Sequence, residues 1–116
     1  MKLNHLNLTV RNPVETQTFL AKYFDLRSMG KASTKMAFLS DDNGMVLGLF
    51  PPGKEGQVRY PETFHIGFIQ ETEDQVDVIN SRLKADGFDV PAPSRQHGSW
   101  TFYFFAPGGF TIEVLR

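Results

Sequence analysis

The sequence predicts an α+β protein made of two tandem β-α-β-β-β modules, whose strands form a curved mixed sheet around a cavity with the helices on its outer face. The segment from His5 to Val10 resembles the segment from His65 to Gln70, sixty residues later. Each segment is followed by an amphipathic helical pattern, then by a matching short element (24–26 and 88–90), and then by two strand patterns joined by a turn. Such ordered self-similarity indicates a duplicated unit.

Both helices carry start and stop signals. The first is predicted from about Val14 to Phe24, with Pro13 at its start, where a proline is tolerated because its missing N–H has no partner in the first turn. The second is predicted from about Glu73 to Ala85, with Thr72 as its N-cap and Gly87 as its C-terminal stop. Each helix therefore contributes one apolar face to the core.

A hairpin closes each module, and the two hairpins align with a constant offset of 65 residues. Strand, turn and strand are 36–40, 41–44 and 45–50 in the first module, and 101–105, 106–109 and 110–115 in the second. Asn-Gly and Gly-Gly favour these turns because they adopt positive φ at little cost. If residues 107–109 form a three-residue loop, Tyr103 lies opposite Glu113 in the last hairpin.

The length of 116 residues fits a single domain. We expect module one over about 1–50, a linker over about 51–62, and module two over about 63–116. The linker prediction depends on the Pro and Gly content between Pro51 and Pro61. Apolar residues make up 41% of the chain and aromatic residues 13%, which is enough for a well-filled core at this size.

Composition also excludes several classes of function. A net charge of −1 without a basic patch predicts no binding to nucleic acid or to an anionic membrane. The absence of cysteine excludes disulfides, thiolate metal sites and cysteine nucleophiles. There is no signal-peptide pattern and no apolar stretch of membrane-spanning length, so we expect a cytoplasmic protein whose partner is a small molecule.

Strand alternation separates an apolar face from a polar one. The polar face carries His5 and His65, at matching places of the repeated unit, and also Glu113. Imidazole and carboxylate are ligands for first-row divalent ions, so these three residues are the predicted metal ligands. The alternative is a His–Glu ion pair, since a buried carboxylate without a metal needs such a partner.

Five further residues are candidates for the chemistry around this site. Tyr103 neighbours the glutamate, and His97 lies in a loop expected at the cavity mouth; both are candidate proton-transfer groups. Asn7 and Thr101 share the polar face and are candidate substrate contacts. Arg95 is a candidate for binding an anionic substrate.

A duplicated β-α-β-β-β unit with a histidine opening each copy and a glutamate in the final strand resembles the vicinal oxygen chelate superfamily, over essentially the whole chain. That superfamily includes glyoxalase I, fosfomycin-resistance enzymes, extradiol dioxygenases and bleomycin-resistance proteins. The resemblance implies strand order 1-4-3-2 in each module. It implies ligands from the first and last strands of each module, here His5 with position 48 and His65 with Glu113. It also implies a homodimer with a shared site, in which His5 comes from the other chain.

Gly48 departs from this pattern, because the four-ligand members have a glutamate there. Glycine provides no ligand, so three protein ligands and several open positions remain, as in 2-His-1-carboxylate sites. This disfavours glyoxalase I and favours a dioxygenase-like or resistance-enzyme-like activity. We therefore expect an enzyme in which Fe, Mn, Ni or Zn chelates vicinal oxygens of a small molecule. The alternative is a non-catalytic drug or metabolite sequestering protein of the bleomycin-resistance type.

Overall fold

The computed structural model describes residues 1–54 and 56–116, which form two helices and two four-stranded mixed sheets. In chain order the elements are β1 His5–Thr9, α1 Pro13–Phe24, β2 Arg27–Ser28, β3 Ala37–Ser40, β4 Val46–Phe50, β5 His65–Ile69, α2 Glu73–Ala85, β6 Ser94–Gln96, β7 Ser99–Phe105 and β8 Thr111–Leu115. This order confirms the duplicated β-α-β-β-β unit. Residue 55 of the predicted linker lies outside the described residues.

The first compact unit comprises Met1–Tyr60 together with Pro107–Gly109. Its strand order is β1-β4-β3-β2, with β1 parallel to β4. The second unit comprises Pro61–Ala106 together with Phe110–Arg116, and its order is β5-β8-β7-β6 with β5 parallel to β8. Both orders are the 1-4-3-2 arrangement that the resemblance implies. In each unit the first and last strands are therefore neighbours.

Both helices form where their signals predict. Helix α1 begins at Pro13, one residue before the predicted start, because the Asn12 side chain caps it by accepting from the Glu15 N–H. Helix α2 has the predicted bounds, and Thr72 Oγ1 accepts from the Gln75 N–H. Neither helix is long and apolar enough to cross a membrane.

The apolar faces of the strands form the core, as the alternation predicts. In the first unit Leu8, Leu39 and Leu49 are fully buried beneath α1, and in the second Phe102, Ile112 and Val114 are fully buried beneath α2. The last hairpin has the predicted register: the Ala106 N–H donates to the Phe110 carbonyl at 2.8 Å, and Tyr103 pairs with Glu113. The core therefore fixes which side chains lie on the opposite face.

Candidate metal centre

His65 and Glu113 converge on the polar face of the second unit. His65 opens β5, and Glu113 lies on the neighbouring strand β8, where its register partner is Gly67. The missing side chain at Gly67 leaves the glutamate room to extend across β5. His65 Nε2 lies 3.4 Å from Glu113 Oε1, and Glu113 is only 9% exposed.

The hydrogen bond of His65 Nδ1 determines which ring nitrogen carries the proton, and therefore what Nε2 can do next to Glu113. His65 Nδ1 lies 3.0 Å from the Thr63 carbonyl oxygen, which can only accept, so Nδ1 carries a proton and donates. In the neutral ring Nε2 then has a lone pair and no proton, and it lies 3.4 Å from a carboxylate oxygen. Two acceptors at this separation repel each other unless a cation, either a second proton or a metal ion, lies between them.

The separation also suits two ligands of one metal ion. A nitrogen and an oxygen that each lie about 2.1 Å from an ion are about 3.4 Å apart at a tetrahedral angle and about 3.0 Å apart at a right angle. Neutral imidazole nitrogen and carboxylate oxygen are ligands for Zn, Mn, Ni and Fe alike. His65 and Glu113 therefore fit a divalent ion.

The Thr101 side chain contacts the Glu113 carboxylate from the buried side. Its side chain is fully buried, and its hydroxyl oxygen lies 2.7 Å from Glu113 Oε2 and 3.0 Å from the Val114 carbonyl oxygen. The single hydroxyl proton favours the shorter contact, since a hydrogen bond to a carboxylate is charge-assisted. Thr101 was expected to contact substrate; in the structure it is fully buried and hydrogen-bonds to Glu113.

Tyr103 completes the cluster. Its ring packs edge-to-face with the His65 ring at a centroid distance of 5.3 Å, and it is the register partner of Glu113 across β7 and β8. Burial raises the pKa of Tyr103 above its ordinary value of 10.0, and the neighbouring Glu113 carboxylate, as an acceptor and a negative charge, raises it further. The side chain is therefore a neutral phenol near neutral pH, able to donate a proton or a hydrogen bond.

His5 and Asn7 belong to the first unit. Both side chains are exposed on the same face of β1, as predicted. His5 Nδ1 lies 2.7 Å from the Asn4 side-chain oxygen, which accepts, so in the neutral ring Nε2 has the free lone pair, as in His65. Within residues 1–54 and 56–116 of a single chain, no three His, Cys, Asp or Glu side chains are grouped closely enough to hold a metal.

Arg95 and His97 lie on the opposite edge of the second sheet from β5. Arg95 Nη2 lies 3.0 Å from both carboxylate oxygens of Glu73, and its guanidinium packs over the Trp100 ring at 5.4 Å. His97, with φ of 51°, and Gly98, with φ of 81°, form the two-residue turn between β6 and β7. The structure brings His65, Thr101, Tyr103 and Glu113 together, but it does not bring Arg95 or His97 to them.

Two features were not anticipated from the sequence. The first is the pair of groups that orient the histidines, the Asn4 side chain and the Thr63 carbonyl. The second is a cavity of about 490 Å³ in the first unit, with Lys54 and Arg59 as its cations. Its lining residues are Thr9, Pro52, Gly53, Lys54, Gln57, Arg59 and Tyr60. The contact of the Thr63 backbone carbonyl cannot be read from the sequence, because every residue has a carbonyl. Lys54 and Arg59, in contrast, can be recognised in the linker sequence as cations.

The two β-α-β-β-β units, with a His–Glu pair on the first and last strands of the second, define a class of protein with a duplicated fold. The chain belongs to the Glyoxalase/Bleomycin resistance protein/Dioxygenase superfamily, whose family model matches residues 2–114.

Solved structures agree with this assignment. A possible glyoxalase from Bacillus cereus is 49% identical, with a TM-score of 0.90 over 100% of this chain and 99% of its own. A lactoylglutathione lyase from Agrobacterium tumefaciens is 20% identical, with a TM-score of 0.77 over 98% of this chain and 92% of its own. The fosfomycin resistance protein FosX from Listeria monocytogenes is 20% identical, with a TM-score of 0.79 over 99% of this chain and 92% of its own. No curated protein shows a significant match.

Proposed function

We propose that the protein is a divalent-metal-dependent enzyme acting on a small molecule with two neighbouring oxygens, and that His5, His65 and Glu113 are the ligands. The observation that carries the proposal is the 3.4 Å separation between His65 Nε2, which has no proton in the neutral ring, and Glu113 Oε1, since a shared cation removes the repulsion between them. When bound, the metal supplies Lewis-acid chemistry that stabilises negative charge on substrate oxygens.

The protein side of the mechanism follows from the neighbours of Glu113. Thr101 donates to Oε2 and thereby leaves Oε1 directed toward His65. Tyr103, whose raised pKa keeps it protonated, donates its hydroxyl proton to a substrate oxygen. Thr101 is thus a positioning residue, and Tyr103 is the acid or hydrogen-bond donor.

The third ligand comes from a second chain in this proposal. The second unit supplies His65 and Glu113, while His5 lies in the first unit. The resemblance implies dimers in which the first unit of one chain completes the site of the other, so we propose a cytoplasmic homodimer with two shared sites. Each site then combines an imidazole oriented by Asn4 with one oriented by Thr63.

The reaction is proposed to be dioxygenase-like or resistance-enzyme-like rather than that of glyoxalase I. Gly48 provides no carboxylate at the place where four-ligand relatives have one, which leaves open positions for a bidentate substrate. The solved relatives named as a lyase and as a fosfomycin resistance protein are each 20% identical, so they support the fold and not either activity.

A second candidate function is metabolite or drug sequestration without catalysis, as in bleomycin-resistance proteins. The same His65–Glu113 contact favours it if the cation is a proton, because an imidazolium also satisfies the carboxylate. The two candidates differ in whether the purified protein carries a metal ion.

Elemental analysis of protein purified without added metal separates them. We expect about one divalent ion per chain in the wild type, since a symmetric dimer has two sites. His65→Ala and Glu113→Gln should lose the ion, whereas His97→Ala, which removes a histidine outside the ligand set, should retain it. Substoichiometric metal in all four proteins would refute the enzyme and favour sequestration. Bound iron would favour dioxygenase chemistry.

Mixing two inactive variants tests the shared site. His5→Ala and His65→Ala homodimers each have two broken sites, but a mixed dimer combines the intact His5 of one chain with the intact His65 of the other. Random exchange should therefore restore metal binding to about one quarter of the sites. No recovery after exchange, verified by mass spectrometry of mixed dimers, would place all three ligands within one chain.

A further inference from the structure

Asn7 occupies space that position 48 leaves open. It lies two residues after His5 on the exposed face of β1, and its register partner on β4 is Gly48. A Cβ atom on Gly48 would collide with Asn7 Oδ1, and it would lie 3.3 Å from Asn7 Cγ and 3.0 Å from Phe50 Cε2. A side chain at position 48 would therefore displace the Asn7 amide.

In the second unit the glycine and the polar residue of the corresponding pair have exchanged strands. Gly67 on β5 corresponds to Asn7, and its partner Glu113 on β8 corresponds to Gly48. There the carboxylate extends across the glycine, with Oε1 4.0 Å from where a Gly67 Cβ would be. In both units one strand has a glycine and its neighbour supplies an oxygen-bearing side chain.

We propose that Asn7 Oδ1 is a fourth, neutral oxygen donor to the metal, in the place where Gly48 offers no carboxylate; this inference rests on the proposed function. Carbonyl oxygens are ligands for hard divalent ions such as Mn²⁺. His5 and Asn7 lie about 6.6 Å apart along one face of the strand, a gap that their side chains can close toward one ion. Within the described part of the chain the Asn7 amide has no hydrogen bond, so its oxygen is available.

A neutral fourth donor also sets the charge of the centre. A divalent ion with two imidazoles, one carboxylate and one amide has a net charge of about +1, whereas a second carboxylate would bring it to about zero. A centre with net positive charge binds anions more tightly. The donor set therefore fits a substrate that presents two neighbouring oxygens as an anion, such as a 2-oxo acid, an enolate or a phosphonate.

Calorimetric titration of metal-free protein with Mn²⁺, followed by titration of the Mn²⁺ form with oxalate, tests this inference. Asn7→Ala should weaken Mn²⁺ binding about tenfold or more, the loss typical of residues that support a metal. Asn7→Asp should tighten Mn²⁺ binding and weaken oxalate binding, because it adds a negative ligand. Asn43→Asp, which adds the same charge in the β3–β4 turn, is the matched control and should change neither value.

A double variant, Asn7→Gly with Gly48→Glu, exchanges the donor between the two strands and should recover part of the Mn²⁺ affinity lost in Asn7→Ala. The inference is overturned if both single Asn7 variants bind Mn²⁺ and oxalate as the Asn43 control does while His65→Ala loses Mn²⁺; the proposed function then stands. If the wild type and His65→Ala bind Mn²⁺ equally, or neither binds it, the proposed function fails and this inference with it. Asn7 is exposed, so its single variants test the inference even if the double variant does not fold.

Discussion

Replacing Thr101 by valine removes the one buried hydroxyl that contacts Glu113. Valine preserves the branched shape but has no proton to donate, so Oε2 loses its 2.7 Å contact and the Val114 carbonyl loses a contact at 3.0 Å. Thr101 is fully buried and Glu113 is 9% exposed, so solvent does not replace the lost donor easily. The carboxylate is then free to turn away from His65.

A hydrogen bond to a charged group contributes about 1.5–3 kcal/mol, so Thr101→Val should lower the free energy of unfolding by about that amount. Metal affinity should fall about 10–100-fold, as for other residues that orient a ligand. Urea denaturation of the metal-free protein measures the first effect, and calorimetric titration with Mn²⁺ measures the second.

Two variants separate the role of the hydroxyl from other effects of the substitution. Thr101→Ser keeps the donor and should retain near wild-type metal affinity, with only the loss of a buried methyl group. Thr18→Val removes a hydroxyl whose contact is the Val14 carbonyl in α1, so it reports the effect of the same change away from the site. If Thr101→Val binds metal as tightly as Thr101→Ser, Thr101 does not position Glu113 and the reasoning is wrong.

Two further predictions concern tyrosines with raised pKa values. Ultraviolet titration at alkaline pH should show a phenol step that is absent in Tyr103→Phe and lies above pH 10, and Glu113→Gln should move that step down; an unmoved step would contradict the contribution of Glu113. Because the folded pKa exceeds the unfolded one, Tyr103 contributes stability below about pH 10 that is lost as pH rises through the folded value. Tyr60 Oη lies 2.7 Å from both the Thr9 N–H nitrogen and the Thr9 carbonyl oxygen, so Tyr60→Phe should lower the free energy of unfolding by about 1 kcal/mol in urea titration. Unchanged stability would show that water replaces both contacts.

The fold was predictable because local signals and tertiary structure agree. The three-residue loop at 107–109 sets the register of the hairpin, and this register pairs Tyr103 with Glu113 on the same face of the sheet. The strand order was available only from the resemblance, since hydrophobic alternation does not say which strands are neighbours. The short edge strands β2 and β6 were poorly predicted, because they contain only Arg27–Ser28 and Ser94–Gln96, which have no apolar alternation.

The site was predictable only to the level of which face a residue occupies. Alternation places His65 and Glu113 on one face, but the Nδ1 contact to the Thr63 carbonyl depends on backbone geometry that residue types do not report. Alternation likewise places Thr101 on the polar face, yet not its complete burial beneath the carboxylate. His97 was assigned to the cavity mouth from its loop alone, and the two-residue turn places it at the far edge of the sheet instead.

The residues around Glu113 differ together from their counterparts in the first unit. At the offset of 65, the residues that correspond to Thr101, Tyr103 and Glu113 are Met36, Phe38 and Gly48. Both supporting hydroxyls are replaced in the first unit along with the carboxylate, and Phe38 packs edge-to-face against Phe50 at 5.8 Å.

A carboxylate restored at position 48 would therefore enter surroundings without a hydroxyl donor, where an unsupported charge costs several kcal/mol as it becomes buried. An exposed, neutral amide such as that of Asn7 needs no such support. The strand pair β1–β4 thus lacks both hydroxyl donors and carries a neutral oxygen at Asn7, whereas the pair β5–β8 carries a charged oxygen at Glu113.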